Sequence, residues 1–178
     1  MIETGATYRS PRGTVVEVLD NRPERFAIRR TLPPGTGRTA PHRHMEPGAV
    51  ERFTLLEGTA TGKLGGEQRR LGPGDVLEVR SGDVHVHPHT GAGETATLEH
   101  AIEPREPFVP VYFASWLTWL ERGHVDRQDE PMLLGIMSVL RAAGGETWVA
   151  GPPVAVQKAL AALLAPVANR RGLRAVVD

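Results

Sequence analysis

The chain has 178 residues, no cysteine, and 21 basic against 21 acidic side chains. That length implies one domain, or one domain with a helical appendage, and enough chain to bury a core without staples. Disulfides, thiolate metal ligands and cysteine nucleophiles are excluded, so any metal must be held by nitrogen and oxygen. The balanced charge offers no long-range pull on nucleic acid or on an anionic membrane. The first residues, Met-Ile-Glu-Thr-Gly-Ala-Thr-Tyr, lack the basic start and apolar core of a signal peptide. The longest run of apolar and small residues, 159–168, contains Pro166 and falls well short of the ~20 residues a membrane span needs. A cytoplasmic protein is expected, with neither membrane nor nucleic acid as partner.

In chain order, residues 14–102 read as short strands divided by turn chemistry. Residues 14–19 and 26–32 are β-rich, and Pro33-Pro34-Gly35 then breaks the pattern. Residues 52–57 form a strand ending at Gly58, and 59–64 follow directly. Gly65-Gly66 suits a two-residue hairpin whose central positions favour positive φ. Gly72-Pro73-Gly74-Asp75 marks another turn, and residues 76–79, 84–89 and 95–102 complete the set. Many short strands at regular spacing predict a sandwich or barrel.

The period changes near Pro104-Arg105-Glu106-Pro107. Phe113, Trp116, Leu117 and Leu120 fall at i, i+3, i+4 and i+7, which predicts a helix with Pro110 in its first turn and Gly123 past its end. Leu133, Ile136, Met137 and Leu140 repeat the spacing, between Pro131 and Gly144. Residues 147–150 read as a short strand. A third helix begins after Pro152-Pro153 and is expected to bury Val156, Leu160, Leu163, Leu164 and Val167, with Pro166 kinking it or ending it early. Six of the nine aromatic residues follow position 104, so the helices are expected to pack on the sheet or on another subunit. The division is a β unit over 1–104 and a helical extension over 105–178.

Five of the seven histidines fall in two short runs, His42-Arg43-His44 and His85-Val86-His87-Pro88-His89. On a strand, i and i+2 share a face about 7 Å apart at the backbone, close enough for two imidazoles to converge on one ion. Glu51 shares a face with Phe53 and Leu55. If these faces meet, His42, His44, Glu51 and His85 make a site of three imidazoles and one carboxylate, suited to Fe, Mn, Ni, Co or Zn as a divalent ion. Glu46 competes for the carboxylate place, but Pro47-Gly48 interrupts its strand and favours Glu51.

These residues carry a resemblance. A glycine-containing turn, His42-x-His44, Glu51 and then Gly58 resemble the first motif of the cupin superfamily. Residues 72–85, Gly-Pro-Gly-Asp-Val-Leu-Glu-Val-Arg-Ser-Gly-Asp-Val-His, resemble the second. The resemblance covers roughly residues 14–102. It implies a mainly β, jelly-roll β-barrel followed by C-terminal α-helices, with His42, His44, Glu51 and His85 as metal ligands. The tail is similar to that of bacterial single-domain cupins with a helical extension. Two departures stand out. The gap from His44 to Glu51 is two or three residues longer than usual. Arg80 replaces a proline, and His89 stands where asparagine is common.

The functional expectation is a metal-dependent enzyme acting on a small organic molecule that chelates the ion, of oxidoreductase or dioxygenase type. Isomerase or cyclase chemistry is the alternative. Glu51 or His87 is the expected proton acceptor. His87 also reads as a residue hydrogen-bonded behind the ligands, His89 as an exposed turn residue, His100 as a core histidine and His124 as surface. Phe53, Leu55, Val76, His87 and His100 are expected to point inward around the site. The competing class is a binding module that senses or carries a small ligand; as a regulator it would use residues 107–144 as a helix-turn-helix, against which the neutral charge weighs. A homodimer is expected, since small β units must cover their edge strands.

Overall fold

The structure is a computed structural model and describes residues 2–143 and 147–177. Eleven strands form two antiparallel sheets among the described residues. β1 (Thr7–Arg9), β2 (Val15–Arg22), β3 (Arg25–Leu32), β5 (Val50–Gly58), β8 (Val76–Arg80) and β10 (Ala96–Glu103) make the first, in the order β1-β2-β3-β10-β5-β8. β4 (His42–His44), β6 (Ala60–Leu64), β7 (Glu67–Leu71), β9 (His85–His89) and β11 (Thr147–Val149) make the second, in the order β11-β4-β9-β6-β7. Helices α1 (Phe108–Glu121), α2 (Leu133–Ala143) and α3 (Val154–Arg170) belong to the C-terminal third. None of these helices is long and apolar enough to cross a membrane.

Local chemistry explains most of these elements. β2, β5 and β10 alternate buried and exposed side chains over most of their length, the period-2 pattern of a sheet with one face inward. Gly65 and Gly66 have φ of 57° and 89°, as a two-residue hairpin requires. Gly58 ends β5 at φ 79°, and a Cβ there would lie 1.9 Å from the Thr95 carbonyl oxygen, so no other residue fits. β7 has no apolar alternation: four of its five residues are exposed. It is a strand because the preceding turn folds it back on β6.

The expected closed barrel is corrected. Among the described residues the two sheets share no strand pairing, and their edges stay apart. The inner face of the first sheet carries two different cores. At one end of the first sheet, Leu32, Phe53, Leu55, Leu77 and Leu98 pack with Ala60 and Leu71 of the second sheet. At the other end, Val16, Val18, Phe26, Ile28 and Ile102 pack instead against α1 and the residues that follow. Phe26 and Phe113 meet with ring centroids 4.4 Å apart. The helices thus cover that end of the first sheet.

Three further expectations change. Val76 is not inward but 53% exposed; β8 turns Leu77 and Val79 inward, which puts Val76 with Glu78 and Arg80 on the outer face. α3 buries Gln157, Ala161, Ala165 and Ala168, while Val156, Leu160, Leu163 and Val167 face outward and Leu164 is half-buried. Its small side chains lie on the buried face, where they let it approach α2 closely. α3 also continues through Pro166 to Arg170. Pro166 is on the exposed side, where water can satisfy the carbonyl that loses its N–H partner. Gly144, the expected end of α2, lies outside the described residues.

β11 is the strand expected over 147–150, and its placement matters. It pairs antiparallel with β4, setting Thr147 opposite His44 and Val149 opposite His42. The Gln157 side chain grips β11 from α3: the Val149 N–H donates to Oε1 at 3.1 Å, and Nε2 donates to the Val149 carbonyl at 2.9 Å. The extension therefore borders the strand that bears the first two histidines.

Candidate metal centre

Between the two cores the inner faces turn polar. On β10 the sequence of inward residues is Leu98, His100, Ile102; on β3 it is Leu32, Arg30, Ile28. Glu51 lies on neighbouring β5, opposite Ile102 and one inward position from Phe53, which faces His100. The second sheet faces it with His42 and His44 of β4 and His85 and His87 of β9, and His42 is registered on His85. The structure therefore brings His42, His44, Glu51 and His85 together. They fall in two overlapping groups whose ligand-capable atoms lie within 4.8 Å of one another: His44, Glu51 and His85, and His42, His85 and His87. Glu46 is in neither group. His124 is exposed, as expected, and His89 is half-buried, with its Nδ1 3.0 Å from the His87 carbonyl.

The donor set fits a metal ion. His42 Nδ1 lies 2.9 Å from the Ala40 carbonyl and His85 Nδ1 lies 3.1 Å from the Asp83 carbonyl. A carbonyl only accepts, so in both rings Nδ1 carries the proton and Nε2 keeps its lone pair. His44 Nδ1 is engaged by Thr147 Oγ1 at 3.0 Å and by Glu106 Oε2 at 3.3 Å, which leaves its Nε2 turned toward Glu51, where an ion would displace its proton. His44 Nε2 and His85 Nε2 lie 3.3 and 2.9 Å from Glu51 Oε2, yet all three atoms are buried without an aligned hydrogen bond. Buried polar atoms that converge without partners are costly unless something satisfies them together, and a divalent cation does so.

The electrostatics agree. Burial alone would raise the Glu51 carboxyl, but His44, His85, His87 and His100 around it hold it well below the usual carboxylate range. Burial, with His85 and His44 nearby, pushes His42 down to about 3. Burial also drives His87 well below its ordinary value, so both rings are neutral and able to offer electron pairs. Burial opposes protonation of His44 as well, but Glu51 and Glu106 outweigh it and raise that ring to about 10.

Sequence reasoning missed the groups that the extension supplies. Glu106 reads in the sequence as part of a junction, yet it is buried against His44. Its only signal is an acidic residue between two prolines beside an apolar helix. Thr147 carries no signal at all, because its role depends on β11 adding to β4. His100, expected to be a core histidine, is buried and places Nε2 2.6 Å from Glu51 Oε1 while stacking on Phe53 at 4.3 Å. A cavity of about 250 Å³ opens over the cluster. His42, His44, Glu51, His87 and His100 line one side of it. The other side belongs to the extension: Tyr112 and Phe113 of α1, Glu130, and Leu133, Ile136 and Leu140 of α2.

Residues 28–100 match the family model described as a cupin domain. No curated protein matches the sequence. Among solved structures, KdgF from Halomonas sp. is similar at 20% identity, over 56% of this chain and 86% of that one, with a TM-score of 0.48. TT1209 from Thermus thermophilus is similar at 22% identity, over 57% of this chain and 91% of the other, with a TM-score of 0.47. The polyketide cyclase RemF from Streptomyces resistomycificus is similar at 20% identity, over 59% and 79%, with a TM-score of 0.46. None of these likenesses assigns a reaction. The matched segment holds both histidine runs and Glu51, so residues 28–100 are the part of the chain that matches a cupin domain.

Proposed function

We propose that this protein is a metal-dependent enzyme acting on a small organic molecule bound between the sheets and the helical extension. His42, His44, Glu51 and His85 would hold a divalent ion, Fe, Mn, Ni, Co or Zn. The observation that carries this reading is the convergence of buried, partnerless His44 Nε2, Glu51 Oε2 and His85 Nε2 beside a cavity that His44 and Glu51 line. Four protein ligands leave room on a six-coordinate ion for a chelating substrate. The bound ion would polarise a substrate oxygen and, where redox-active, bring dioxygen to it.

Within that class the dioxygenase or oxidoreductase type is our reading, with isomerase or cyclase chemistry as the alternative. The chain's own residues have defined parts. His87 lines the cavity with neither ring nitrogen hydrogen-bonded, which leaves a lone pair to accept a substrate proton, although burial weakens it as a base. Glu51 could share that task while serving as a ligand. The aliphatic and aromatic side of the cavity excludes water and strengthens each electrostatic contact within it. A homodimer is supported by the outward stripe Val156, Leu160, Leu163 and Val167, an apolar face that a second copy of α3 would cover. Light scattering that finds only the 19.3 kDa chain would rule the dimer out.

The test is metal analysis of untagged protein, joined to oxygen uptake and product detection across chelating acids, enols and phenols. One divalent ion per chain is expected, and it should be lost when His42→Ala and His85→Ala are combined. Protein that contains no stoichiometric metal, or a double variant with full activity, would overturn the reading.

A further inference from the structure

Glu130 is a buried carboxylate in the cavity wall, and nothing in the ligand cluster uses it. Its side chain is held by Arg30. Arg30, buried on β3 between the two cores, donates Nη2 to Glu130 Oε1, and the Arg30 guanidinium lies 4.7 Å over the Trp116 ring. Among the described residues, Glu130 Oε2 accepts no hydrogen bond.

The loop that carries it is built rigidly. Asp126 Oδ1 takes the backbone N–H groups of Gln128 and Glu130, and the Asp126 N–H donates back to the Glu130 carbonyl. Asp129, at φ 60°, is sealed by Ser10 and Thr14, each donating to Oδ2 at 2.7 Å, and Trp116 Nε1 donates to its carbonyl. A residue at positive φ costs free energy that the surrounding bonds must offset, so this loop is fixed in place rather than draped. What it presents to the cavity is Glu130 beside Asp126 and Pro131, with Tyr112 of α1 also in the lining.

We propose that Glu130 is a catalytic acid and base of this pocket, exchanging a proton with a carbon or oxygen atom of a small enolisable carbonyl compound from the extension side of the cavity. The inference rests on the reading of the pocket as a metal-dependent active site. In the exchange the substrate α-C–H bond breaks. The proton bonds to the Glu130 carboxylate, the electron pair stays on the substrate as its enolate, and the same O–H bond later breaks as a proton returns. Whenever Glu130 is ionised, Arg30 balances its charge.

The charged surroundings fit this use. Burial raises the Glu130 carboxyl to about 7 against the pull of Arg30, with Asp126 and Asp129 adding to the rise. A carboxyl that titrates near neutrality can both give and take a proton at working pH. Tyr112 stays protonated, because burial, Glu130 and Glu51 push its phenol well above the usual value.

The probe is α-ketoisocaproate, a chelating oxo acid with an aliphatic tail, offered to zinc-loaded full-length protein in deuterated water. Loss of the hydrogens on the carbon next to its ketone is followed by proton NMR, with zinc content and probe affinity measured on the same samples. Glu130→Gln should slow exchange by about 100-fold or more, with zinc content and affinity kept and the pH profile losing a limb near neutrality. Removing Glu130 alone leaves Arg30 unpaired, so Arg30→Met with Glu130→Gln provides a second, folded test and should be equally slow. Exchange in either variant close to the wild-type rate overturns the proposal, as does a zinc-loaded wild type no faster than buffer. A wild type that binds no zinc defeats the metal reading instead, and is told apart by the zinc content.

Discussion

The two sides of the cavity are made by different means. The sheet side is chemistry set by local pattern: His42, His44, Glu51, His85 and His87 sit at alternate positions of short strands, so the pleat alone turns them inward. The extension side is mostly apolar, with Phe113, Leu133, Ile136 and Leu140, and it exists only because α1 and α2 pack where the second sheet does not reach. One side provides the imidazoles and Glu51, the other an apolar wall that also carries Glu130 and Asp126. At the cavity the polar contacts between the two sides include Glu106 and Thr147 on His44, and Glu130 on Arg30. The extension is therefore part of the site in this protein, not an ornament on a self-sufficient β unit.

The comparison breaks first if the sheet side does not bind metal. His85→Ala should weaken divalent-metal affinity beyond the ~100-fold limit typical of residues behind the ligands, read by competition with a chelator of known affinity. Affinity equal to wild type would remove the sheet side's role. Next comes the extension's own weight. Phe113 is buried against Phe26 and His100, so Phe113→Ala should cost about 3–5 kcal/mol in chemical denaturation. A loss near zero would mean that the helices merely rest on the sheet.

A smaller effect probes the contact between the two sides. Glu51 and Glu106 raise His44 to about 10 against burial, so below that pH the metal-free site holds a proton that an ion must displace. Affinity should therefore rise with pH up to about 10, with close to one proton released per ion, seen by calorimetry in buffers of different ionisation enthalpy. Glu106→Gln lowers the His44 ring, so the plateau should begin at lower pH and fewer protons should be released near neutrality. At high pH, affinity should fall roughly 10- to 100-fold, the cost of losing a carboxylate behind a ligand. An unchanged pH profile would show that Glu106 does not act on His44. The smallest effect concerns the outer face. Leu163 is 72% exposed, so Leu163→Ser should change monomer stability by no more than ~0.5 kcal/mol while shifting any dimer toward monomer in light scattering.

The sheet side was legible in the sequence and the extension side was not, for physical reasons. His42-x-His44 and His85-x-His87 carry their own geometry, and Pro47-Gly48 separates Glu46 from the strand that bears Glu51. The helices of 108–121 and 133–143 were legible as elements from their i, i+3, i+4, i+7 spacing. What they cover was not, because a stripe does not name its partner. On α3 the larger apolar side chains suggested the wrong buried face, since close approach to α2 selected the alanines. Val76 failed similarly: β8 alternates, but its phase is set by pairing with β5. Glu106, Thr147 and Glu130 lie far along the chain from the groups they touch, and only tertiary structure brings them there.

The most direct measurement is paramagnetic NMR of the manganese-loaded protein against the zinc-loaded form. If the ion sits among His42, His44, Glu51 and His85 and the extension closes the cavity over it, the side chains of Thr147 and Tyr112 should broaden beyond detection together with the cluster imidazoles. Leu163 on the outer face of α3 should stay sharp. Broadening confined to surface carboxylates, or a cluster that broadens while Thr147 and Tyr112 remain sharp, would contradict the account.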